Sequence, residues 1–382
     1  MRESSYQQEA RSDRIVVRNR GEATVKILET FKAAQKENYS TLDFHNEKHP
    51  EAVRRTALEF AKIIMREDPK LVTKGTLMGI VNSAASHDSV LNFAHGEMIT
   101  RFRGFFETDI KDSYRAAMRD AGVQKGNELL SAERLDQEMD KYVDEKGDPI
   151  FDEASRKEMR DAIAATFPEF DFTATIPDRD FEQYFGGMRV QETGLEKYRT
   201  GIKVWQPHLR AEGSITALAI ATGDLRGEVA HGDYEVFRES GNGEFRELNE
   251  GLRSALLGGI ETISHDKKMK VAENALKWIK SQITFAMWQK VLFWESINSN
   301  QSITDSPKSA AVKQALKDRY DPNFDRNILK AKERYEALEE EYGEGGSEKR
   351  TERLARLTDA DFRELLDELG FSLNERSDRP QG

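Results

Sequence analysis

Apolar residues recur at helical spacing along most of this chain. Val25, Ile27, Leu28, Phe31 and Ala34 predict a helix over residues 22–38. Val53, Ala57, Phe60, Ala61 and Ile64 share one face of a second helix, which Asp68-Pro69 should end. The stretch LMGIVNSAAS, residues 77–86, is apolar almost all round and predicts a core helix running into His87-Asp88. A second core helix over 213–222 leads into Asp224, and 269–298 predicts one long helix with a wide apolar face. Residues 97–165 read as mostly helical, with breaks at Gly104, Gly122 and Gly126. Residues 166–207, rich in Pro, Gly and aromatics, read as a long loop. No run alternates strongly enough to predict a sheet, and no internal repeat is present. The expected fold class is all-α.

The same pattern suggests an organisation. The polar residues 1–20 are expected to form a flexible tail and 21–300 a single domain. SNQSITDSPKS, from Ser299, reads as a linker, and 301–382 as a charged helical extension. Within it, Thr358-Asp-Ala-Asp is a helix start. Phe362, Leu365, Leu366 and Leu369 then form a stripe expected to pack on the chain's own domain.

Composition narrows the function classes. The chain has 382 residues, 37% hydrophobic and 33% charged, with a net charge of −11. That charge argues against binding an extended nucleic-acid backbone, but allows a locally basic pocket for a phosphate. The absence of cysteine excludes disulfides, thiolate metal sites and a cysteine nucleophile. No apolar run approaches the ~20 residues of a membrane span, and MRESSYQQEARSDR has no apolar core of a signal peptide. A cytoplasmic protein with no membrane partner is expected.

The candidate chemistry lies in the histidines. His45 and His49 stand four apart at an expected helix start, which would stack both imidazoles on one helical face. Taken alone, such a pair is a common hydrated helix end, and a lone aspartate after an apolar helix is a common cap. Taken together the residues say more. Asp88 and Asp224 each close an apolar helix, and a carboxylate at a buried helix end is costly without a cation. No cation partner is obvious in either segment. A divalent metal would pair with both carboxylates, and neutral imidazoles of His49 and His87 would complete a mixed nitrogen and oxygen site.

His49, His87-Asp88 and Asp224 resemble the H…HD…D signature of the HD superfamily of metal-dependent phosphohydrolases. HNEKH followed by PEAV resembles the HNxxHxxxV form shared with cyclic-nucleotide phosphodiesterases. GNELLSA at 126–132 and WIKSQITFAMWQ at 278–289 are similar to elements of bacterial members, and the resemblance covers residues 25–298. It implies an HD-domain helical bundle in which His49, His87, Asp88 and Asp224 hold one divalent metal. Asp88, by bridging to a second metal, and His45, as proton donor to the leaving oxygen, would be the catalytic pair. The metal would be one or two ions among Mn, Mg, Fe, Co, Ni and Zn.

The implied reaction is hydrolysis of a phosphomonoester or phosphodiester, with a nucleotide as the expected small phosphorylated substrate. Candidate substrate contacts are Arg101, Arg103, Glu128, Lys203 and Arg210, with 166–207 as a lid or wall. Two alternatives share the scaffold. One is an inactive HD-fold protein that binds nucleotide for regulation. The other, a metal-dependent oxygenase, ranks lower, because only His95 and His208 lie between the HD pair and the last aspartate. Gln282 carries no assigned role, His231 and His265 are read as surface residues, and a homo-oligomer is compatible with the sequence.

Overall fold

The computed structural model describes residues 14–40, 42–91, 127–166, 170–171, 203–204, 213–342 and 352–371. Strand β1 (Ile15–Val16) leads into helix α1 (Arg20–Tyr39), whose first amides are capped by the Asn19 carboxamide. Helix α2 (His49–Glu67) has proline at its second position, and α3 (Lys74–Ser86) starts at a reciprocal Thr73–Thr76 capping box. Helix α4 (Asn127–Met139) is followed by β2 (Tyr142–Val143) and α5 (Glu153–Ala164). Two further short strands, β3 (Phe170–Asp171) and β4 (Lys203–Val204), pair antiparallel.

The second half contains α6 (Ile215–Leu225), α7 (Tyr234–Leu248), α8 (Glu250–Leu256) and the long α9 (His265–Ser299). Then come the short α10 (Gln301–Thr304), α11 (Ser309–Tyr342) and α12 (Asp359–Glu368). The fold is all-α. The apolar periodicity placed α1, α2, α3 and α9 to within a few residues, because each buries a stripe at helical spacing.

Two sequence-based readings differ from the structure. The parallel pair β1–β2, in register Ile15–Tyr142 and Val16–Val143, lies where no strand was expected. It is too short to show alternation. It ties down part of the expected tail: Val17 is buried and donates its amide to the Val143 carbonyl. Residues 1–13 and most of the expected loop 166–207 lie outside the described residues.

The linker-like SNQSITDSPKS is anchored. Ile303 is fully buried, Asn300 donates to the Gly213 carbonyl, and the Ser306 hydroxyl donates to Asp68. Its polar residues cap and tether, which composition alone cannot distinguish from solvation.

One apolar core spans the molecule from α2 to α12. Phe60 of α2, Phe293 of α9 and Tyr320 and Phe324 of α11 form an aromatic cluster with ring centroids 5.2–6.4 Å apart. Helix α11 is thus part of the central packing. The Phe362, Leu365, Leu366 and Leu369 stripe of α12 is buried in the same core, and Thr358 and Asp361 form its capping box. A smaller core joins α1, α4 and α5 around Phe31, Leu135 and Tyr142.

The packing of α2 against α6 sets the position of the candidate site. At Gly223 a Cβ would stand 2.5 Å from the Val53 carbonyl oxygen, so the two backbones approach closer than any side chain allows. The glycine that weakens an isolated helix is what brings Asp224 up to the start of α2.

Candidate metal centre

Three helix ends meet at one point. His49 is the first residue of α2. His87 caps the C-terminus of α3, with Asp88 following, and Asp224 lies in the last turn of α6. Both carboxylates therefore stand at helix C-termini, where the exposed carbonyls already carry partial negative charge. Such a place favours a cation.

The four side chains converge with one ligand atom each within 4.8 Å of the others. His49 Nε2 is 3.1 Å from Asp224 Oδ1 and 3.4 Å from Asp88 Oδ2. His87 Nε2 is 3.1 Å from Asp88 Oδ2 and 3.4 Å from Asp224 Oδ1. For metal–ligand bonds of about 2.1 Å, neighbouring donor atoms stand about 3.0 Å apart at right angles and about 3.4 Å apart at the tetrahedral angle. The four imidazole–carboxylate separations fall in that range.

Two buried atoms point to the same conclusion. His87 Nε2 and Asp88 Oδ2 are out of contact with solvent, and neither makes a hydrogen bond among the described residues. The other nitrogen of His87, Nδ1, is 2.9 Å from the Ala84 carbonyl and donates to it in the neutral tautomer. That tautomer leaves an Nε2 lone pair facing two carboxylates, an arrangement that needs a positive charge between them. Without a metal the charge must be a proton. Burial disfavours an imidazolium here, yet Asp88 and Asp224 hold His87 well above the ordinary histidine range. Conversely, His87 and His49 keep Asp224 below the usual carboxylate range against the effect of burial, and His87 does the same for Asp88. The donor set fits a divalent cation with imidazole and carboxylate preferences.

His45 lies elsewhere than its spacing suggested. Proline at position 50 starts α2 at His49, so His45 belongs to the turn before the helix and shares no helical face with His49. The two rings nevertheless lie 5.8 Å apart, with Phe44 4.6 Å from each. What holds His45 is Glu247 of α7. One oxygen of Glu247 accepts from the imidazole Nδ1 at 2.6 Å, and the other accepts the backbone amides of Phe44 and His45, both at 3.1 Å. Burial alone would lower the proton affinity of His45. The bond to Glu247 outweighs it and raises its pKa to about 9. Glu247 itself is held below its ordinary value by His45, against burial.

More acids surround the centre. Burial, reinforced by Asp88 and Asp224, pushes Glu128 up to about 7. Burial likewise raises Glu244 to about 7 and raises Glu228, whose carboxylate is 4.0 Å from His49 Nδ1. Glu128 is half-buried, and its proton affinity responds to Asp88 and Asp224. Sequence reasoning missed Glu228, Glu244 and Glu247. The one available signal was the three-residue spacing of Glu244 and Glu247, which puts both on one face of α7. Arg101, Arg103 and Arg210, like His95 and His208, lie outside the described residues. Lys203 falls on β4. His231 accepts the Asp233 amide and His265 is exposed beside the Ala355 carbonyl, both remote in role from the centre.

No protein-family model, curated protein or solved structure matches this chain. The cluster of His49, His87, Asp88 and Asp224 in an all-α fold, able to hold a metal ion, is the finding on which a function must rest. No helix among the described residues is long and apolar enough to cross a membrane.

Proposed function

We propose that this protein is a metal-dependent phosphohydrolase of the HD type, acting on a phosphate ester of a nucleotide. The observation that carries the reading is the pairing of two adjacent devices. One is a four-ligand cluster with unsatisfied donor atoms, and the other is a histidine held protonated by Glu247 within 5.8 Å of a ligand ring. His49, His87, Asp88 and Asp224 would hold a divalent cation. When bound, that cation neutralises charge on the phosphoryl oxygens and makes a water acidic enough to attack at neutral pH.

The rest of the chemistry belongs to this chain. His45, with a pKa of about 9, carries its proton at neutral pH and gives it to the departing ester oxygen. Glu247 engages the ring through Nδ1, so Nε2 is the nitrogen that would hand its proton to the substrate. Phe44 packs against both imidazoles, perpendicular to the His45 ring and tilted against that of His49. General-acid help of this kind contributes about 100-fold to 10,000-fold in rate.

The test begins with metal. Elemental analysis of the purified protein should find one or two equivalents of a divalent metal, lost in Asp88→Ala and Asp224→Ala and kept in His45→Ala. Phosphate release from nucleotides, with manganese, magnesium or nickel supplied, should then be lost in all three. Metal binding with no turnover of any phosphate ester would leave a binding protein. No metal in the wild type after dialysis against these ions would refute the hydrolase.

A further inference from the structure

A second feature lies beside the centre. Helix α1 and the beginning of α2 enclose a groove of about 600 Å³, within the size of a site for a nucleotide-sized ligand. Five cationic side chains line it: Lys32 and Lys36 from α1, and Lys48, Arg54 and Arg55 from the start of α2. Against them stand two acids, Glu47 and Glu51. The excess of positive charge occurs in a chain whose net charge is −11.

Pairing within the groove is incomplete. Arg54 binds Glu51 at 2.6 Å. Among the described residues, Lys32, Lys36, Lys48 and Arg55 form no ion pair with the chain's acids. Lys32 and Lys36 are also one turn apart on α1, where like charges repel. Arg156 and Arg160, by comparison, share Asp136. Four cations from the two helices, with no acid partner among the described residues, thus face one groove and can meet an anion from outside.

The lining also says which anion. Among the described residues it contains no aromatic ring to stack on a base. Its apolar part is Leu28, Pro50, Ala52 and Ala85. Lysines give point charges that follow a string of negative oxygens, and Arg55 adds a planar fork for a phosphate. The groove is built to hold several linked charges and to leave any attached base unread.

We propose that the groove between α1 and α2 binds a chain of linked phosphates, such as the phosphate tail of a nucleoside triphosphate. The groove and the metal centre share their framework. Lys48 and Pro50 flank His49, and Ala85 lies two residues before His87. An oligophosphate there would lie along the segments that position two of the four candidate ligands. The inference stands whether or not the centre hydrolyses anything, because the groove contains none of its ligands.

Calorimetric titration of the full chain with sodium tripolyphosphate, in low salt with EDTA, tests it. One tripolyphosphate should bind, with orthophosphate at least about tenfold weaker because it reaches fewer cations. The pair Lys32→Gln with Lys36→Gln should weaken tripolyphosphate by about tenfold, and Arg55→Gln should weaken it too. All three residues are exposed, so their circular dichroism should match the wild type. Asp224→Ala, which removes the metal site, should bind tripolyphosphate as the wild type does. Equal affinity for ATP identifies the phosphate chain alone as the ligand, and tighter ATP identifies a nucleotide. Unchanged binding in the groove variants would overturn the proposal. So would orthophosphate as tight as tripolyphosphate, or a twelve-nucleotide oligothymidylate that binds more tightly than tripolyphosphate.

Discussion

Replacing Glu247 by glutamine isolates the charge that sets the proton affinity of His45. The glutamine oxygen can still accept the Phe44 and His45 amides, so the turn should survive while the negative charge goes. In the wild type His45 titrates at about 9 against an ordinary value of 6.5. The gap of about 2.5 pH units is worth about 3.4 kcal/mol, at about 1.36 kcal/mol per pH unit. Because burial opposes the charged ring, removing Glu247 should return His45 to about 6.5 or below.

The sign of the stability effect follows. The folded protein binds this proton more tightly than the unfolded chain, so the pair stabilises the fold fully below about pH 6.5 and loses that effect as pH rises through about 9. Glu247→Gln should lose stability at pH 6 and little above pH 9.5. Nitrogen-15 titration of the His45 ring in metal-free protein reads the pKa directly, and urea unfolding at pH 6 and pH 9.5 reads the linkage. Under the proposed reaction, the protonated fraction at pH 8 falls about 30-fold in the variant, but less than about twofold at pH 6. An unchanged ring pKa near 9 in Glu247→Gln would refute the assignment of Glu247 as its cause.

Two further outcomes test the packing. Arg226 is fully buried, its guanidinium makes no hydrogen bond among the described residues, and burial lowers its pKa from 12.5 to about 9. At pH 7 it is still charged in both states, so Arg226→Met should stabilise the fold by roughly 2–4 kcal/mol in urea unfolding; a destabilised variant would mean that the charge has a partner. Phe324, fully buried with its ring 5.7 Å from Phe293, should cost about 3–5 kcal/mol as alanine. Loss should appear as one cooperative transition, since α11 shares the core of α2 and α9; a separate early transition of α11 would contradict that.

The long amphipathic helices were legible in the chain itself. A stripe such as Val53, Ala57, Phe60 and Ile64 must be buried whatever it meets, so period alone predicts the helix. The four candidate ligands were legible too, because Asp88 and Asp224 end apolar helices where a carboxylate needs a counter-charge. Short-range spacing misled at His45, since Pro50 begins the helix one turn later than the histidine pair implied.

Glu247, Glu244 and Glu228 were invisible, since a glutamate on an amphipathic helix looks the same whether it faces water or an imidazole over 200 residues away in sequence. Gly223 shows the limit most clearly. In the sequence it is a weak helix residue, and in the structure it is the point where α2 and α6 touch and Asp224 meets His49. Local periodicity determines which residues must be hidden from water. Only the tertiary packing decides which polar groups are hidden together, and that decision creates the site.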